Sequence, residues 1–538
     1  MVNVNMLKKT FKEKISKLKI EHILYFIICS ILVVSCFVSP IYSWDLDHEI
    51  YFGSRLLHGE LIWTQEFHDK LPFVPFLFVI PAYFKSIFVF KILSLLSILG
   101  VFFSFIFLIP KIFKSNNLND KALFCSIVYF SILYFSYDSI ATINCISVSL
   151  YFIAFLLIIY ERKTNNEHSR IACKIIGSLL AAAVISIRPY FLPAFGVVVF
   201  YASFIENSKK ILFSRKVYHF FVWIFLIGVF GVVLNVIPYV LTQQMSAFWD
   251  GLSLLRDHIN PLSASHDFFK RMRKFPDIIL WGSWFLMFFC FVGSNKEKEA
   301  QKNVAKELFF VAFLSNLFMI FYMLSEHYWR HYIQLFVANY CLCLFSVLLV
   351  LAPNNYFSIS CMGKKKIKIE RIFSIISLFF IFFLCFELKK EIHLAKTMKF
   401  LDAGDSYSTT NNWKEKLFSD YLEKENKKNK ISFLFPDDMK AHWILEEGRH
   451  SFPHSANTKH IFLGWWKNIT FKSSHFLIAT SSEQYCRLIA SKGADLIIVQ
   501  PNSFVIPCLV DPHNGYVLQV VLENSIGKEF VFKRITRP

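Results

Sequence analysis

Apolar residues along this chain gather in long runs, and the polar residues between them form shorter stretches. Several runs are about 17–25 residues long, the length of an α-helix that crosses the hydrocarbon core of a bilayer. The pattern predicts about eleven membrane-spanning helices. The predicted spans are residues 22–42, 87–112, 123–135, 140–160, 175–187, 191–204, 220–241, 278–292, 308–324, 331–351 and 372–386.

Lysine and arginine mark alternate loops between the predicted spans. Lysines at positions 8, 9, 12, 14, 17 and 19 precede the first span, and clusters such as Arg162 with Lys163 recur after every second span. Cytoplasmic loops carry this excess of cations, so we expect a cytoplasmic N-terminus and an extracytoplasmic C-terminus. The first run is long for a cleaved signal peptide and no Ala-x-Ala site follows it, which predicts a retained span.

The last part of the chain has no long apolar run. The sequence therefore divides into a transmembrane domain at 1–388 and a soluble domain at 389–538. Segments 431–435 and Leu496–Val499 have the short apolar pattern of buried strands, and 482–492 has that of a helix. We expect a small α/β domain outside the cytoplasm. Cys486 and Cys508 could form a disulfide there, and the sequence leaves this open.

Composition supports a membrane protein and decides how the charge is interpreted. Hydrophobic residues make up 55% of the chain, more than a soluble protein could cover with polar surface. The net charge is +19, from 58 Lys and Arg against 39 Asp and Glu. Because the cations lie mainly in the loops of one side, they indicate orientation in the membrane and no nucleic-acid partner.

The first outer loop, residues 42–86, holds the densest group of ionisable side chains on the outer side. Asp45 and Asp47 follow the first span, and His68, Asp69 and Lys70 come later. Residues 72–84 are apolar but short and rich in proline, which favours a juxtamembrane helix on the outer face. Ionisable groups near hydrocarbon tend to be paired, to snorkel or to be functional. Further candidates in the same layer are Asp138, Arg188, His327, Arg330, His331 and Tyr332.

The order of residues in this loop resembles the first outer loop of GT-C class glycosyltransferases. These enzymes use polyprenyl-phosphate sugars and include protein O-mannosyltransferases and lipid A aminoarabinose transferases. The family has an Asp just after the first span, a Tyr four residues later and then a Gly. Asp47, Tyr51 and Gly59 match these positions.

The family's loop continues with an acidic/His-Lys-Pro stretch that opens a juxtamembrane helix. His68, Asp69 and Lys70 resemble this stretch. In this chain Leu71 separates Lys70 from Pro72, which is a departure from the family's pattern. The roles carried over to Asp69 and Lys70 are therefore less direct than the role of Asp47.

Two further segments are similar to the family. Residues 327–335 resemble its late "(R/H)-x-Y-(I/L)-x-(L/P)" segment, with Tyr332 at the Tyr position. Asp138, after the third predicted span, occupies a position where the family often has an Asp. The resemblance implies a GT-C type fold, a polyprenyl-phosphate-linked sugar donor and a lipid, glycan or protein acceptor. Its bacterial forms are the nearest, which implies the bacterial inner membrane.

The resemblance also implies roles for the candidate residues. Asp47 would be the general base that takes the proton of the acceptor hydroxyl, with Asp45 as the second choice. Direct attack opposite the phosphate would invert the anomeric centre. The candidate donors to the departing phosphate are Lys70, Arg188, Arg330 and the neutral Tyr332. The other cavity candidates are His68, Asp69, Asp138, His327 and His331.

Each site hypothesis has an alternative. Arg188 could be an interfacial arginine that snorkels at a span end, and Asp138 could cap the following helix. His68, His327 and His331 are residue types that could bind a divalent metal ion. No pair of them stands on one predicted helix, so no metal ligand is assigned. At the level of function, a flippase or transporter would predict polar residues at mid-membrane and two related halves, and neither is visible. A polysaccharide polymerase or ligase would share the outer arginines without requiring the early acidic pair.

Overall fold

A computed structural model describes the larger part of the transmembrane region and portions of the C-terminal region. The described residues are 52–53, 55–57, 59–64, 70–84, 87–113, 119–137, 142–205, 212–259, 277–293, 300–323, 330–351, 356–358, 366–368, 433–434, 461–463, 477–479, 496–499, 506–524 and 527–535, with positions 27, 30, 31, 33, 34, 49, 382, 385 and 389.

Helices dominate the described part of the chain. They are α1 Phe73–Phe84, α2 Ile87–Phe103, α3 Ile109–Phe113, α4 Asn119–Tyr137, α5 Ile143–Lys163, α6 Glu167–Ile187, α7 Phe191–Phe200, α8 Phe213–Asn235, α9 Ile237–Leu241, α10 Met245–Ile259, α11 Asp277–Gly293, α12 Ala300–Met323, α13 Val337–Leu351 and α14 Ile506–Leu509. A π turn at Ser104–Leu108 joins α2 to α3, and another at Tyr201–Ile205 extends α7. A 3-10 turn at Arg330–Phe336 leads into α13.

The helices fall on the predicted spans, but local capping decides where they begin. The span predicted from residue 140 begins at Ile143, because the Thr142 hydroxyl accepts a hydrogen bond from the Cys145 N–H at 3.1 Å. Thr142 is therefore the cap of α5, and the alternative of Asp138 as its cap is wrong. Likewise α6 begins well before residue 175, since the Asn166 side chain accepts from the Ser169 N–H at 3.2 Å.

The stretch after α8 differs from the sequence prediction. The span predicted as 220–241 ends at Asn235, and Pro238 stands in the first turn of the short helix α9. Residues 242–277 lie between two predicted spans, and the chain forms α10 there over Met245–Ile259. Its buried residues Ala247, Phe248, Gly251 and Leu255 recur every three to four positions and give α10 one inward face.

Within the described residues, six helices are long and apolar enough to cross a membrane, by length and composition. Four shorter apolar helices accompany them, including α1. Together they identify an integral, polytopic helical membrane protein. The count of eleven stays a prediction, since the first and last predicted spans are described only at scattered positions, all of them helical.

Helix α5 is the hub of the bundle. It contacts α2, α6, α7, α13 and the 3-10 turn, and 78% of its most apolar stretch is buried in the protein. By contrast, 6% of α8 is buried, so most of its surface faces outwards. Within the hub, the Tyr151 hydroxyl donates to the Asn339 side chain at 3.0 Å, and Asn339 donates to Asn316 at 2.9 Å. These hydrogen bonds tie α5, α13 and α12 together inside an apolar region.

The C-terminal region contains a sheet of four strands. After α13 the described residues include β1 Tyr356–Ser358, β2 Lys366–Lys368, β3 Phe433–Leu434, β4 Ile461–Leu463, β5 Leu477–Ala479, β6 Leu496–Val499, β7 Tyr516–Asn524 and β8 Gly527–Arg534, and β1 with β2 and β4 with β5 form separate two-stranded sheets. The sheet has the order β3-β6-β8-β7, with β3 and β6 parallel and the other pairs antiparallel. Both predicted strands are strands here. The predicted helix at 482–492 and Cys486 lie outside the described residues, so the 389 boundary and the disulfide stay predictions.

Candidate functional site

The candidate site lies at the end of the bundle where α6 stops and α7 starts. Pro189 disfavours helical geometry in the residue before it, and Arg188 accordingly is extended, with φ −141° and ψ 96°. The Arg188 N–H still donates to the Val184 carbonyl at 2.8 Å, and its own carbonyl accepts from the Phe191 N–H at 3.1 Å. This tight turn fixes the backbone of Arg188 between two helices.

The Arg188 side chain points into the protein. Arg188 is 6% exposed, and its Nε donates to the Asn144 amide oxygen in the first turn of α5 at 2.8 Å. Its guanidinium carbon lies 5.6 Å from the centre of the Tyr332 ring, a cation–π contact. A snorkelling side chain would extend along an apolar surface toward water, whereas Arg188 turns inwards; its role in a site stays a prediction.

Two more tyrosines complete an aromatic group beside Arg188. The Tyr190 ring centre lies 5.5 Å from that of Tyr332 and 5.9 Å from that of Tyr322. These residues come from the α6–α7 turn, the 3-10 turn and the end of α12. Three separate elements therefore meet beside the arginine, and the Tyr332 ring restricts where its guanidinium can lie.

A second set of hydrogen bonds fixes the 3-10 turn that carries Tyr332. The Gln334 side chain is fully buried and donates to the Leu133 carbonyl of α4 at 3.0 Å. Its amide oxygen accepts from the Thr142 hydroxyl at 3.2 Å. Since Thr142 also caps α5, the same residue positions Asn144 and the 3-10 turn.

Lys70 of the first outer loop is also buried, but its partner is an acid. Its Nζ lies 3.1 Å from Oε1 of Glu49, and the two side chains are 8% and 1% exposed. Nearby in sequence, Arg55 forms an ion pair with Glu60. Buried ions are costly unless they are paired, so these contacts hold parts of the first outer loop to one another.

The segment that follows is anchored through Trp63. Trp63 is fully buried in a left-handed backbone conformation, φ 65°, which is unusual for a bulky residue. It packs against Gly251 of α10, where a Cβ atom would lie 2.1 Å from the indole. The Tyr239 hydroxyl of α9 donates to the Ile62 carbonyl at 2.6 Å. Such strain persists only where the surroundings enforce it, as Gly251 and Tyr239 do here.

Asn235, at the end of α8, forms hydrogen bonds with the two segments that carry Lys70 and Arg188. Its amide oxygen accepts from the Phe73 N–H at 3.0 Å, and its amide nitrogen donates to the Ser186 hydroxyl at 2.7 Å. Lys70 is three residues before Phe73, and Arg188 is two residues after Ser186. The link therefore brings the first outer loop and the α6–α7 turn to the same end of the bundle.

The predicted site residues divide into three groups. The structure brings Arg188 and Tyr332 into contact and places Lys70 at the same end. Arg330 and His331 begin the 3-10 turn. Asp45, Asp47, His68, Asp69, Asp138 and His327 lie outside the described residues. Among the described residues no three His, Cys, Asp or Glu are grouped so that they could hold a metal ion.

Sequence reasoning missed Glu49, Asn144, Tyr190 and Gln334 as site residues. Tyr190 follows the Arg188-Pro189 motif directly, and Glu49 stands two residues after Asp47, so both had a signal in the sequence. Asn144 and Gln334 are amides within predicted spans, where polar groups are costly. Their pairing with Arg188 and Thr142 depends on contacts between distant segments.

The fold as a whole is similar to that of ArnT from Cupriavidus metallidurans, whose crystal structure was solved bound to undecaprenyl phosphate. The TM-score is 0.58, and the match covers 95% of this chain and 97% of that chain at 10% sequence identity. The likeness shows an ArnT-like fold, which supports the polytopic helical fold expected from the sequence, while the count of eleven spans and the C-terminal domain stay predictions. No protein-family model and no curated protein sequence matches the chain.

Proposed function

We propose that this protein is an integral membrane glycosyltransferase that uses a polyprenyl-phosphate-linked sugar. It would transfer the sugar to a lipid, glycan or protein acceptor at the outer face of a bacterial inner membrane. The N-terminus would be cytoplasmic and the domain at 389–538 periplasmic. The observation that carries the proposal is the buried Arg188, held by Asn144 and Tyr332 in a fold like that of ArnT.

Arg188 suits the binding of a phosphate group. Asn144 and Tyr332 are neutral, so these two contacts orient the guanidinium without cancelling its charge. Donors that are fixed before the reaction stabilise developing negative charge most effectively, because they need no reorganisation. Undecaprenyl phosphate, seen with ArnT, is a polyprenyl phosphate, the class of ligand that such a cation would receive.

Lys70 is connected to the predicted base, Asp47, through its ion-pair partner Glu49. Asp47 is two residues from Glu49 along the chain, and two residues of chain reach at most about 7 Å. Glu49 contacts Lys70. The acid proposed as general base and a cation proposed for the phosphate therefore belong to one short part of the first outer loop, with Asp45 as the second candidate base.

In the proposed reaction, the acceptor hydroxyl oxygen attacks the anomeric carbon of the donor sugar. The bond between that carbon and the phosphate oxygen breaks, and the phosphate leaves with the electron pair. Asp47 takes the proton of the hydroxyl. Attack from the face opposite the leaving group inverts the anomeric centre. Arg188, Lys70 and Arg330 would stabilise the departing phosphate, with Tyr332 beside it.

The alternatives are a polysaccharide polymerase or ligase and a flippase or transporter of lipid-linked sugars. A flippase needs no general base, so loss of Asp47 would leave its activity intact. A polymerase or ligase would consume a glycan carrier instead of a single-sugar donor. Both differences can be measured.

The decisive experiment is transfer of labelled sugar from a panel of polyprenyl-phosphate donors in membranes that contain wild type or Asp47→Asn. We expect wild type to label an acceptor and Asp47→Asn to reach the membrane in equal amount and label none. Asp45→Asn is the matched control at the second candidate. Equal labelling by wild type and both variants would contradict the base assignment. Movement of donor across the membrane without labelling would favour the flippase.

A further inference from the structure

The opposite end of the bundle contains a second buried charged cluster, where α5, α6 and α8 meet. One layer of this junction is apolar: a Cβ atom on Gly177 would lie 3.2 Å from the Trp223 ring and 3.6 Å from Leu157. Residues three or four positions apart share a helix face. The next layer toward the helix ends therefore consists of Glu161, Lys174 and His219. They lie four residues after Leu157, three before Gly177 and four before Trp223, respectively.

Glu161 is fully buried at the centre of this layer. Its Oε1 accepts from Arg170 Nε at 3.4 Å and lies 3.3 Å from Lys174 Nζ. Arg170 and Lys174 are 39% and 21% exposed, so both remain within reach of molecules outside the bundle. The two cations hold one side of the carboxylate, and Glu161 Oε2 accepts no hydrogen bond from the described residues.

Arg162 and His219 have donors or acceptors that the described residues do not satisfy. Arg162 Nε and Nη2 and His219 Nδ1 are buried and have no hydrogen-bond partner in the described part of the chain. Neighbouring residues of a helix point about 100° apart, so Arg162 does not face Glu161. Leaving a charged donor buried and unpaired is strongly unfavourable. An external acceptor with several oxygens would relieve this.

We propose that the α5–α6–α8 junction binds a phosphate group at the end of the bundle opposite the candidate active site. Arg162, Arg170 and Lys174 bring three positive charges to this junction and Glu161 brings one negative charge, so the cluster has an excess of two positive charges. The planar guanidinium of Arg162 has N–H donors whose spacing matches that of two phosphate oxygens, and His219 Nδ1 can add a further hydrogen bond. By charge pattern this end faces the cytoplasm, so the phosphate belongs to an anionic phospholipid headgroup or to a soluble phosphate. The proposal does not depend on the transfer reaction.

The test is isothermal titration calorimetry of the purified full-length protein in detergent. The ligands are short-chain phosphatidylglycerol, short-chain phosphatidylcholine and inorganic phosphate. We expect wild type to bind phosphatidylglycerol and Arg162→Gln to bind it about ten- to a hundredfold more weakly. The matched control is Arg215→Gln, which removes an exposed arginine at the same end and should change affinity less than about twofold.

The remaining outcomes decide the source of the phosphate or reject the site. Equal binding of inorganic phosphate, with the same loss in Arg162→Gln, would support a soluble ligand. Equal binding of both lipids in wild type and Arg162→Gln would overturn the proposal, as would binding that is lost in Arg188→Gln but kept in Arg162→Gln. Arg162→Lys keeps the positive charge but lacks the planar guanidinium, so it should bind with intermediate affinity. This variant tests the site even where Arg162→Gln fails to fold.

Discussion

The two ends of the helical bundle both contain a buried carboxylate paired with cations, but they differ in how the cations are exposed. At the candidate active site, Glu49 pairs with Lys70, which is 8% exposed, and Arg188 at the same end of the bundle is 6% exposed. At the opposite end, Glu161 pairs with Arg170 and Lys174, which are 39% and 21% exposed.

Under the two proposals, this difference corresponds to two uses of positive charge. At the candidate active site the cations lie within the protein and are oriented by Asn144, Tyr332 and Glu49, as the stabilisation of a transition state requires. At the opposite end Arg170 and Lys174 hold one side of Glu161 and keep contact with the outside, as the binding of a headgroup or ion requires. Changes at the two ends should therefore affect different measurements.

Among the changes that compare the two ends, the largest effect is expected from Arg188→Gln on sugar transfer. Removing one positioned donor to the departing phosphate should lower kcat about 100- to 1,000-fold. Arg162→Gln removes the same charge at the opposite end and should change kcat less than about threefold. Initial rates in membranes with matched protein amounts measure both. Equal losses in the two variants would remove the functional difference between the ends.

Glu161→Gln should lower stability. The variant leaves Arg170 and Lys174 without their carboxylate, and we expect a loss of about 2–3 kcal/mol, less than for a fully buried pair because both cations retain solvent. Unfolding of the purified protein in detergent measures it. The control Glu167→Gln removes an exposed acid from the first turn of α6 and should cost less than about 1 kcal/mol. A smaller effect for Glu161 than for Glu167 would contradict the buried ion pair.

Gly251→Ala tests the anchor of the first outer loop. Its Cβ atom would lie 2.1 Å from the Trp63 indole, so the tryptophan or α10 must shift, at about 2 kcal/mol. We expect a lower Tm and slower transfer together. Gly282→Ala on α11 has no atom within 4 Å of its Cβ and should leave both unchanged or raise Tm slightly. Equal Tm values for the two variants would mean that Trp63 is not held there.

The smallest effect is expected at Tyr332, and it distinguishes two roles of that side chain. Tyr332→Phe keeps a ring over Arg188, whereas Tyr332→Leu removes it. If the ring positions the guanidinium, Leu should slow transfer about five- to tenfold and Phe less than about threefold. If the hydroxyl donates to phosphate, as the sequence resemblance implies, both variants should be equally slow. Initial rates of sugar transfer separate the two cases.

The membrane class and the approximate positions of most helices could be predicted from the sequence, which also singled out Arg188 and Tyr332, two side chains that contact each other in the structure. These features depend on local information: the length of apolar runs, the distribution of cations and short motifs. It also indicated two strands that the structure contains. Helix ends were less certain, because a cap such as Thr142 or a break such as Pro238 outweighs hydropathy over a few residues.

The tertiary structure alone decided which polar residues meet. Arg188 pairs with Asn144 across 44 positions of sequence, and Tyr239 holds Ile62 across 177. Hydropathy did not predict helix α10, because its stretch of sequence has mixed polarity. The contact between Gly251 and Trp63 identifies the inward face of this helix. The cluster at Glu161 was likewise hidden, since its charges looked like an ordinary cytoplasmic loop. Contacts of this kind arise from the packing of distant helices, which hydropathy does not encode.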